Sequence, residues 1–356
     1  MKEIIIVTGV LGGGGAERVF VNLANAFAER GHVVRIVITG TKKSSSYELD
    51  QRVLVDKIVS ENRKKALKIA EKIKRLRAYF KAHRGASIIS FFPDVSAYCI
   101  LASAGLGMRN ILSERNDPYT TPKNKYKHML RDIVFRFADV CVFQTEDARC
   151  YFPAAVRSKG AVINNPMNLA KVPMVQPGQK KRKVIIGIGR VNPQKNFLLL
   201  IKAFERIKER FPEYIVEIYG EVGELSSEVT EYIRKNALED CVKLMGFSEN
   251  IYQHLLESEV YVLSSDYEGV SNTMLEALAM GVPTIATDCP IGGTRRFIQD
   301  GVNGYLVPVN DVGQMATALE RLLGNAELQE AFRRKSVEIR KQVDVDKVCD
   351  DWLAIL

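Results

Sequence analysis

Two cations in the second half of the chain have the types and the spacing to hold a phosphate group. Arg190 and Lys195 follow a Gly-Ile-Gly segment at 187–189, and Asn196 comes directly after Lys195. A guanidinium can bind two phosphate oxygens at once, and an ammonium acts on them as a point charge. An isolated pair of this kind would be interpreted as solvated loop cations, but the paired glycines favour a ligand site.

Two carboxylates lie on either side of a second loop. Glu268 and Glu276 are eight residues apart and enclose Gly-Val-Ser-Asn-Thr at 269–273, just before a predicted helix. Backbone amides at the start of a helix attract anions because they have no partner within the helix. Thr273 and Glu276 also have the spacing of a capping box, so Glu276 could instead close its own helix.

Both segments, in this order, resemble the family-4 retaining glycosyltransferases of the GT-B fold, which carry a G-x-G-R…K-N loop and an E-x7-E motif. Three further segments are similar to that family: Gly-Gly-Ala-Glu-Arg at 14–18, Asn-Asn-Pro at 164–166 and Asp-Gly-x-x-Gly at 300–304. Each segment alone is weak evidence for the resemblance. Their order and spacing extend the resemblance over nearly the whole chain.

The resemblance implies transfer of a sugar from a nucleotide sugar with retention of configuration. Arg190 and Lys195 would hold the leaving diphosphate, Glu276 the ribose hydroxyls and Glu268 the sugar. Cations and free amides can supply the positive charge, so we expect no metal and no other cofactor. The expected donor-binding residues are Gly14, Gly15, Gly189, Arg190, Lys195, Asn196, Glu268, Gly269, Ser271, Asn272, Thr273 and Glu276, and the expected catalytic residues are Arg190, Lys195, Glu268 and Glu114.

The loop at 113–118 departs from the family pattern. Many relatives have a His here that reaches the transferred sugar, whereas this sequence reads Ser-Glu-Arg-Asn-Asp-Pro. Glu114 and Asn116 are the candidates to replace it, and Glu114 could equally pair with Arg115. In a later glycine-containing loop, Arg296 stands where relatives commonly carry Glu, so the sequence assigns no particular sugar.

Two other motifs imitate a dinucleotide site and a metal site. Glycines at 12–15 open a predicted helix and favour a loop that faces a ligand, but they do not fit G-x-G-x-x-G. The second strand ends in Thr-Gly-Thr-Lys at 39–42 without an acid for a ribose, which disfavours an oxidoreductase. Asp344 and Asp346 have the D-x-D spacing of metal-dependent transferases of another fold, but they precede the last helix, and we interpret them as a solvated helix start.

Positive charge is concentrated in the first half. The chain has 51 Lys and Arg against 42 Asp and Glu. Residues 1–170 contain 28 and 15 of these, a net +13, which leaves 23 and 27, a net −4, for the rest. Basic segments lie at 62–84, on a predicted amphipathic helix, and at 123–137. The residues expected to bind an acceptor or a membrane are Lys68, Lys72, Lys74, Arg75, Lys123, Lys125, Lys127 and Arg131.

These basic segments indicate a glycan or polyprenyl-diphosphate-linked acceptor and an anionic membrane surface, where each cation is worth about 1 kcal/mol. Neither segment shows a nucleic-acid-binding module, so no nucleic acid is expected. The six cysteines form no C-x-x-C pair, and no apolar run of about 18 residues occurs. We therefore expect a cytoplasmic protein that lies peripherally on the inner face of the cell membrane.

Short apolar strands that alternate with helices predict an α/β protein of GT-B type, with two doubly wound Rossmann-like domains facing across a cleft. The strands are continuously apolar, which indicates parallel sheets covered on both faces. The expected domains are an acceptor-binding domain at 1–168 and a nucleotide-sugar-binding domain at 169–342. Residues 343–356 are expected to form a helix that packs back on the first domain.

The expected function is a retaining, metal-independent glycosyltransferase that moves a hexose or N-acetylhexosamine, from a donor we expect to be UDP-linked, to a glycan or lipid-linked acceptor. The product would be a cell-surface polysaccharide such as capsule or lipopolysaccharide. Two alternatives stay open. A GT-B nucleotide-sugar epimerase would turn over the donor alone, and a non-enzymatic protein that binds anionic membranes or nucleic acid would not need Glu276.

Overall fold

The first half of the chain forms a seven-stranded parallel sheet. The structure is a computed structural model that describes residues 1–12, 14–41, 47–176, 178–221, 223 and 225–356. The strands of this sheet are β1 (Glu3–Thr8), β2 (Val33–Ile38), β3 (Leu54–Lys57), β4 (Ser87–Ser90), β5 (Arg109–Ser113), β6 (Val140–Phe143) and β7 (Gly160–Val162). Their order is β3-β2-β1-β4-β5-β6-β7. The helices between them are α1 (Gly15–Glu29), α2 (Lys65–Ala82), α3 (Pro93–Ser103), α4 (Lys125–Val134), α5 (Glu146–Tyr151) and α6 (Ala154–Arg157).

The second half repeats the pattern with a six-stranded parallel sheet. Its strands are β8 (Val184–Ile188), β9 (Ile215–Tyr219), β10 (Val242–Gly246), β11 (Val260–Leu263), β12 (Thr284–Thr287) and β13 (Tyr305–Val307), in the order β10-β9-β8-β11-β12-β13. The helices are α7 (Phe197–Ile207), α8 (Ser226–Lys235), α9 (Ile251–Glu257), α10 (Asn272–Met280), α11 (Val312–Leu323), α12 (Ala326–Ser336), α13 (Arg340–Val343) and α14 (Val345–Leu353).

Contacts along the chain divide it into two compact units. The first unit comprises residues 1–168 and 343–356, and the second comprises residues 169–342. The chain returns to the first unit through α14, where Trp352 is fully buried against Phe91 with ring centroids 6.1 Å apart. Which unit binds donor and which binds acceptor stays a prediction.

The start of α14 explains the D-x-D spacing without a metal ligand. Asp344 caps the helix and accepts the amide of Asp346, and Arg30 binds Asp346 and Asp350 at 3.3 and 2.7 Å. These carboxylates therefore act on a helix start and on a surface arginine, as the interpretation of a solvated helix start requires.

The two parallel α/β sheets confirm the fold class. The central strands follow the sequence pattern because their side chains are buried on both faces, as at Ile4 and Ile185, which are 0% exposed. Strands such as β3 and β7 give no such signal, since they are short and lie at sheet edges. Among the described residues, no helix has the length and apolar content needed to span a membrane.

Candidate functional site

The loops after β8 and β11 bring two predicted site residues into contact. Lys195 Nζ lies 2.6 Å from Glu268 Oε1, and Ser265 Oγ donates to the same oxygen at 2.8 Å. The Lys195 and Glu268 side chains are 17% and 11% exposed, so both charges are largely removed from water. The Lys195–Glu268 pair thus joins the two loops that the sequence had marked separately.

Glycines allow these loops to approach closely. Gly189 has a φ of 154°, and a Cβ there would lie 2.8 Å from Cε of Lys195. A Cβ on Gly293, after β12, would lie 1.7 Å from the carbonyl oxygen of Gly269. Side chains at these two positions would displace the lysine and the backbone of the 268–273 loop, so the glycines position the site.

Arg190 is the exposed cation of the site. It follows Gly189 directly, and within the described part of the chain its guanidinium makes no hydrogen bond or ion pair. A guanidinium in this state can bind an anion without first breaking an internal bond. The structure therefore leaves Arg190 available for the predicted phosphate contact.

Asn196 holds the loop in place. It begins α7 with a left-handed φ of 40°, and its side chain caps the Leu199 amide. Its Nδ2 donates to Asp266 and Asn310, both at 2.7 Å. These contacts give Asn196 a positioning role, and its predicted contact with the donor stays a prediction.

The start of α10 does not contain the capping box that the sequence allowed. Ser271 is the N-cap and accepts the amide of Met274, whereas Thr273 lies inside the helix and bonds to Tyr261 Oη at 2.8 Å. The first turn, with Asn272 at its start, leaves amides directed out of the helix. The capping interpretation of Glu276 is therefore wrong.

Glu276 lies one turn further into α10 and is 0% exposed. Tyr252, on α9, donates to Glu276 Oε1 at 2.9 Å. A ribose that binds this carboxylate would share it with the phenol. No sequence signal indicates Tyr252, which is 24 residues away from Glu276. Ser265 and Asp266 lie in the loop after β11 and could have been expected from their place near a strand end.

The glycine loop of the first unit is only partly described. Gly14 precedes α1, Gly15 is the first residue of that helix, and Gly13 lies outside the described residues. The Glu17 carboxylate lies close to the helix start, where a Cβ on Gly14 would be only 2.3 Å from Glu17 Oε2. Lys42, at the end of the predicted second-strand motif, is also outside the described residues.

Glu114 belongs to a buried polar cluster at the carboxyl end of β5. Its Oε1 accepts the amides of Arg115 and Asn116 at 3.0 and 3.1 Å, and its Oε2 lies 3.3 Å from Arg131. Burial raises the pKa of Glu114 to about 7, and Arg131 opposes this shift. Glu114 binds the Arg115 amide, while the Arg115 guanidinium contacts Ser113 and Asn165.

Arg131 is not part of the basic surface, and its prediction as an acceptor or membrane contact is wrong. Its side chain is 0% exposed and is held by Glu114 and Asp132. The guanidinium also lies 4.9 and 5.3 Å from the ring centroids of Tyr151 and Phe152. Ion pairs and aromatic faces satisfy this cation inside the first unit, which removes it from any external ligand.

The other predicted basic residues lie at or near the surface. On α2, Lys74 is exposed, Lys72 lies 5.8 Å from the Tyr98 ring centroid, Arg75 pairs with Glu71 at 2.5 Å, and Lys68 is half-buried. Near α4, Lys123 and Lys125 are exposed, and Lys127 pairs with Asp94 at 2.7 Å. Their contacts with an acceptor or a membrane stay predictions.

Comparison with known proteins identifies both halves of the chain. Residues 13–171 match the model for "Glycosyltransferase Family 4", and residues 173–338 match that for "Glycosyl transferases group 1". Over 100% of this chain and 98% of the relative, the chain is 25% identical to the Campylobacter jejuni "GalNAc-alpha-(1->4)-GalNAc-alpha-(1->3)-diNAcBac-PP-undecaprenol alpha-1,4-N-acetyl-D-galactosaminyltransferase". An uncharacterized glycosyltransferase of Haemophilus influenzae is 24% identical, with 100% of both chains covered.

Solved structures share the fold. Anabaena HepE in complex with UDP and glucose superposes with a TM-score of 0.86 at 17% identity, covering 99% of each chain. TarM superposes with a TM-score of 0.84 at 16% identity, covering 100% of this chain and 98% of TarM. The two family models together span residues 13–338 almost without a gap, and the site lies on the paired loops after β8 and β11. The chain therefore belongs to the family-4 glycosyltransferases of the GT-B fold.

Proposed function

We propose that this glycosyltransferase moves a hexose or an N-acetylhexosamine from a UDP-linked donor to a glycan on a polyprenyl diphosphate, with retention of configuration and without a metal ion. The observation that carries the proposal is the Lys195–Glu268 pair, which lies on the same loops as the exposed Arg190 and the start of α10. Such an arrangement places fixed positive charge beside a carboxylate that can bind sugar hydroxyls.

The cations would act on the leaving group. When the C1–O bond of the donor breaks, its electron pair stays on a diphosphate oxygen, and negative charge develops there. Arg190, Lys195 and the amides of the first turn of α10 supply donors that need no rearrangement during the reaction, and each such donor is worth about 100-fold or more in rate. The same groups take the place that a divalent cation has in other transferases, which supports a metal-independent reaction.

Retention requires that the new bond forms on the face that the diphosphate vacates. The acceptor hydroxyl oxygen would form the new bond to C1, and its proton would pass to an oxygen of the leaving UDP. UDP then leaves with the proton, so the reaction needs no separate general base. Glu268, bound to Lys195, would hold hydroxyls of the transferred sugar, and Glu276 would bind the ribose together with Tyr252.

Similar proteins support the substrate classes. Anabaena HepE has been solved with UDP-glucose, and the name of the Campylobacter jejuni relative specifies an undecaprenol-diphosphate-linked glycan. A Staphylococcus aureus relative, 28% identical over 52% of this chain, is named for the transfer of N-acetylglucosamine to poly(ribitol-phosphate). These names favour a UDP-sugar and a large phosphate-containing acceptor, so that the product would be part of a cell-surface polysaccharide. We further propose that the reaction takes place at the cytoplasmic face of the membrane.

The test is thermal unfolding with UDP, GDP, ADP or NAD in the presence of EDTA. A ligand at 100 times its Kd stabilises a protein by about 2.7 kcal/mol, and we expect this from UDP alone. Glu276→Gln should abolish the shift. The control is Glu259→Gln, which changes a buried glutamate that pairs with Lys183. Glu259 precedes β11, whereas the site loop follows that strand, so this variant should preserve the shift.

Two outcomes would contradict the proposal. A shift that needs a divalent cation would refute metal independence, and a response to none of the nucleotides would refute the donor class. Turnover of the donor without acceptor would favour an epimerase. The configuration at C1 of the product, measured by NMR, tests retention directly.

A further inference from the structure

The helix α4 exposes a stripe of large apolar side chains. Tyr126, Met129, Ile133 and Phe137 are 78%, 57%, 44% and 64% exposed. Their spacings of three, four and four residues place them on one face of α4 and of the short turn Phe135–Phe137 that continues it. We call these four residues the α4 apolar face.

The α4 apolar face is not part of the core. Arg131 and Val134 are the buried residues of α4, and the helix packs against α3. Large apolar side chains that are exposed singly need no explanation, but four neighbours on one helix face are typical of an interaction surface.

Cations surround this face. Lys123, Lys125 and Arg136 are exposed, and none of them has an ion-pair partner among the residues that the structure describes. Together with Met129 and Ile133, these cations line a cavity of about 530 Å³ between α4 and the segment 119–123. Asp132 also lines it, but its carboxylate is bound by Arg131 and Tyr151.

The helix α2 differs in one respect. It is also rich in lysine and arginine, but the apolar residues Leu76 and Phe80 of its stripe are buried in the core. It can attract an anionic surface, but among the described residues Leu67, at 53%, is its single exposed large apolar side chain, and one side chain makes no apolar face. A stripe of exposed apolar and aromatic residues with flanking cations is the composition of a helix that lies in the interface of an anionic bilayer.

We propose that the α4 apolar face inserts into an anionic lipid bilayer and that the adjacent cavity binds a lipid phosphate through Lys123, Lys125 and Arg136. This inference rests on the membrane part of the proposed function and assigns it to α4, with α2 in a supporting role. It requires neither donor nor acceptor, so binding can be measured on vesicles alone.

A tryptophan in place of Phe137 reports insertion directly. Trp352 is the only tryptophan of the chain and is fully buried, so its emission provides a constant background. With vesicles of phosphatidylcholine and phosphatidylglycerol, we expect Phe137→Trp to show a blue shift and quenching by brominated lipids. Leu101→Trp, at a residue of α3 that is 57% exposed, should show neither. Quenching that is equal in both variants, or absent from Phe137→Trp, would overturn the proposal.

Co-sedimentation with the same vesicles compares matched variants. Met129→Ser, Ile133→Ser and Phe137→Ser combined should weaken binding about tenfold or more. Leu54→Ser, Leu67→Ser and Leu101→Ser combined, with similar exposures of 44%, 53% and 57% but scattered over β3, α2 and α3, should not. Lys123→Gln with Lys125→Gln should weaken binding about 5-fold per charge, more than Lys64→Gln with Lys65→Gln.

The UDP-induced thermal shift separates this proposal from the donor site. All α4 variants should keep the shift, which shows that they are folded, while they lose vesicle binding. Equal loss of binding in the α4 variants and their controls would overturn the assignment to α4. A wild-type dimer that the α4 serine variant converts to a monomer would identify the face as a contact between copies of the chain instead.

Discussion

At the scale of single residues, the site depends on a charge pair that is largely shielded from water. A lysine bound to a carboxylate at 2.6 Å is held in one position before any substrate arrives. When a diphosphate binds, Lys195 would lie between two anionic partners. Its charge would then serve the leaving group without the cost of fixing a flexible side chain.

Replacement of this lysine should affect the rate more than the fold. We expect Lys195→Met to lower kcat about 100-fold or more, since it removes a donor aimed at developing charge. The matched control is Lys202→Met, at a lysine of α7 whose ammonium lies 5.3 Å from the Tyr232 ring centroid. This variant should have the kcat of the wild type. Steady-state rates at saturating donor provide the measurement, and an unchanged kcat in Lys195→Met would remove this residue from the catalytic group.

A second residue-scale prediction concerns pH. The pKa of Glu114 is about 7 in the folded chain because of burial, against about 4.3 for an unperturbed glutamate. Between these values the folded chain keeps a proton that the unfolded chain has released. The free energy of unfolding should therefore fall as pH rises through this window, by about 1.4 kcal/mol per pH unit at most, and level off above pH 7.

The Glu114→Gln variant isolates that contribution. It cannot ionise at this position, so its free energy of unfolding should rise relative to wild type between about pH 4.5 and 7. Urea unfolding at several pH values measures the difference. Parallel profiles of the two proteins would mean that Arg131 keeps Glu114 ionised throughout this range.

At the scale of elements, the start of α10 determines how well the donor diphosphate is held. We expect Ser271→Ala to cost about 1 kcal/mol of stability through the lost cap, and to weaken UDP binding about 5-fold because the first-turn amides become less ordered. Asp311→Ala removes the cap of α11, where Asp311 accepts the Gln314 amide at 2.9 Å. It should cost a similar amount of stability and leave UDP affinity, measured by calorimetry, unchanged.

The elements also show what the sequence could and could not indicate. The apolar runs of β1 and β8 predicted central parallel strands because burial on both faces leaves a continuous hydrophobic signal. Arg131 was misassigned because it lies in the same basic segment as the exposed Lys123 and Lys125, while the aromatic side chains that cover it, Tyr151 and Phe152, come from a later segment. Tyr252 reaches Glu276 through tertiary packing alone, which no local pattern encodes.

At the scale of the whole molecule, positive charge and the α4 apolar face lie in the same part of the chain. Residues 1–170 carry a net +13 and contain α4, whereas the remaining residues carry a net −4. An anionic surface would therefore attract residues 1–170 more strongly than the rest of the chain. The fold itself follows from the sequence at this scale, since both sheets and their order along the chain were predictable.

The return of the chain to its first unit has a consequence for how the protein is made. Val348, Cys349 and Trp352 complete the hydrophobic core that β1, α1 and β2 begin. A ribosome adds about 5–20 residues per second, so the first unit waits many seconds for these side chains, while residues 169–342 can already pack. The first unit can therefore complete its core only after residues 169–342 have been synthesised.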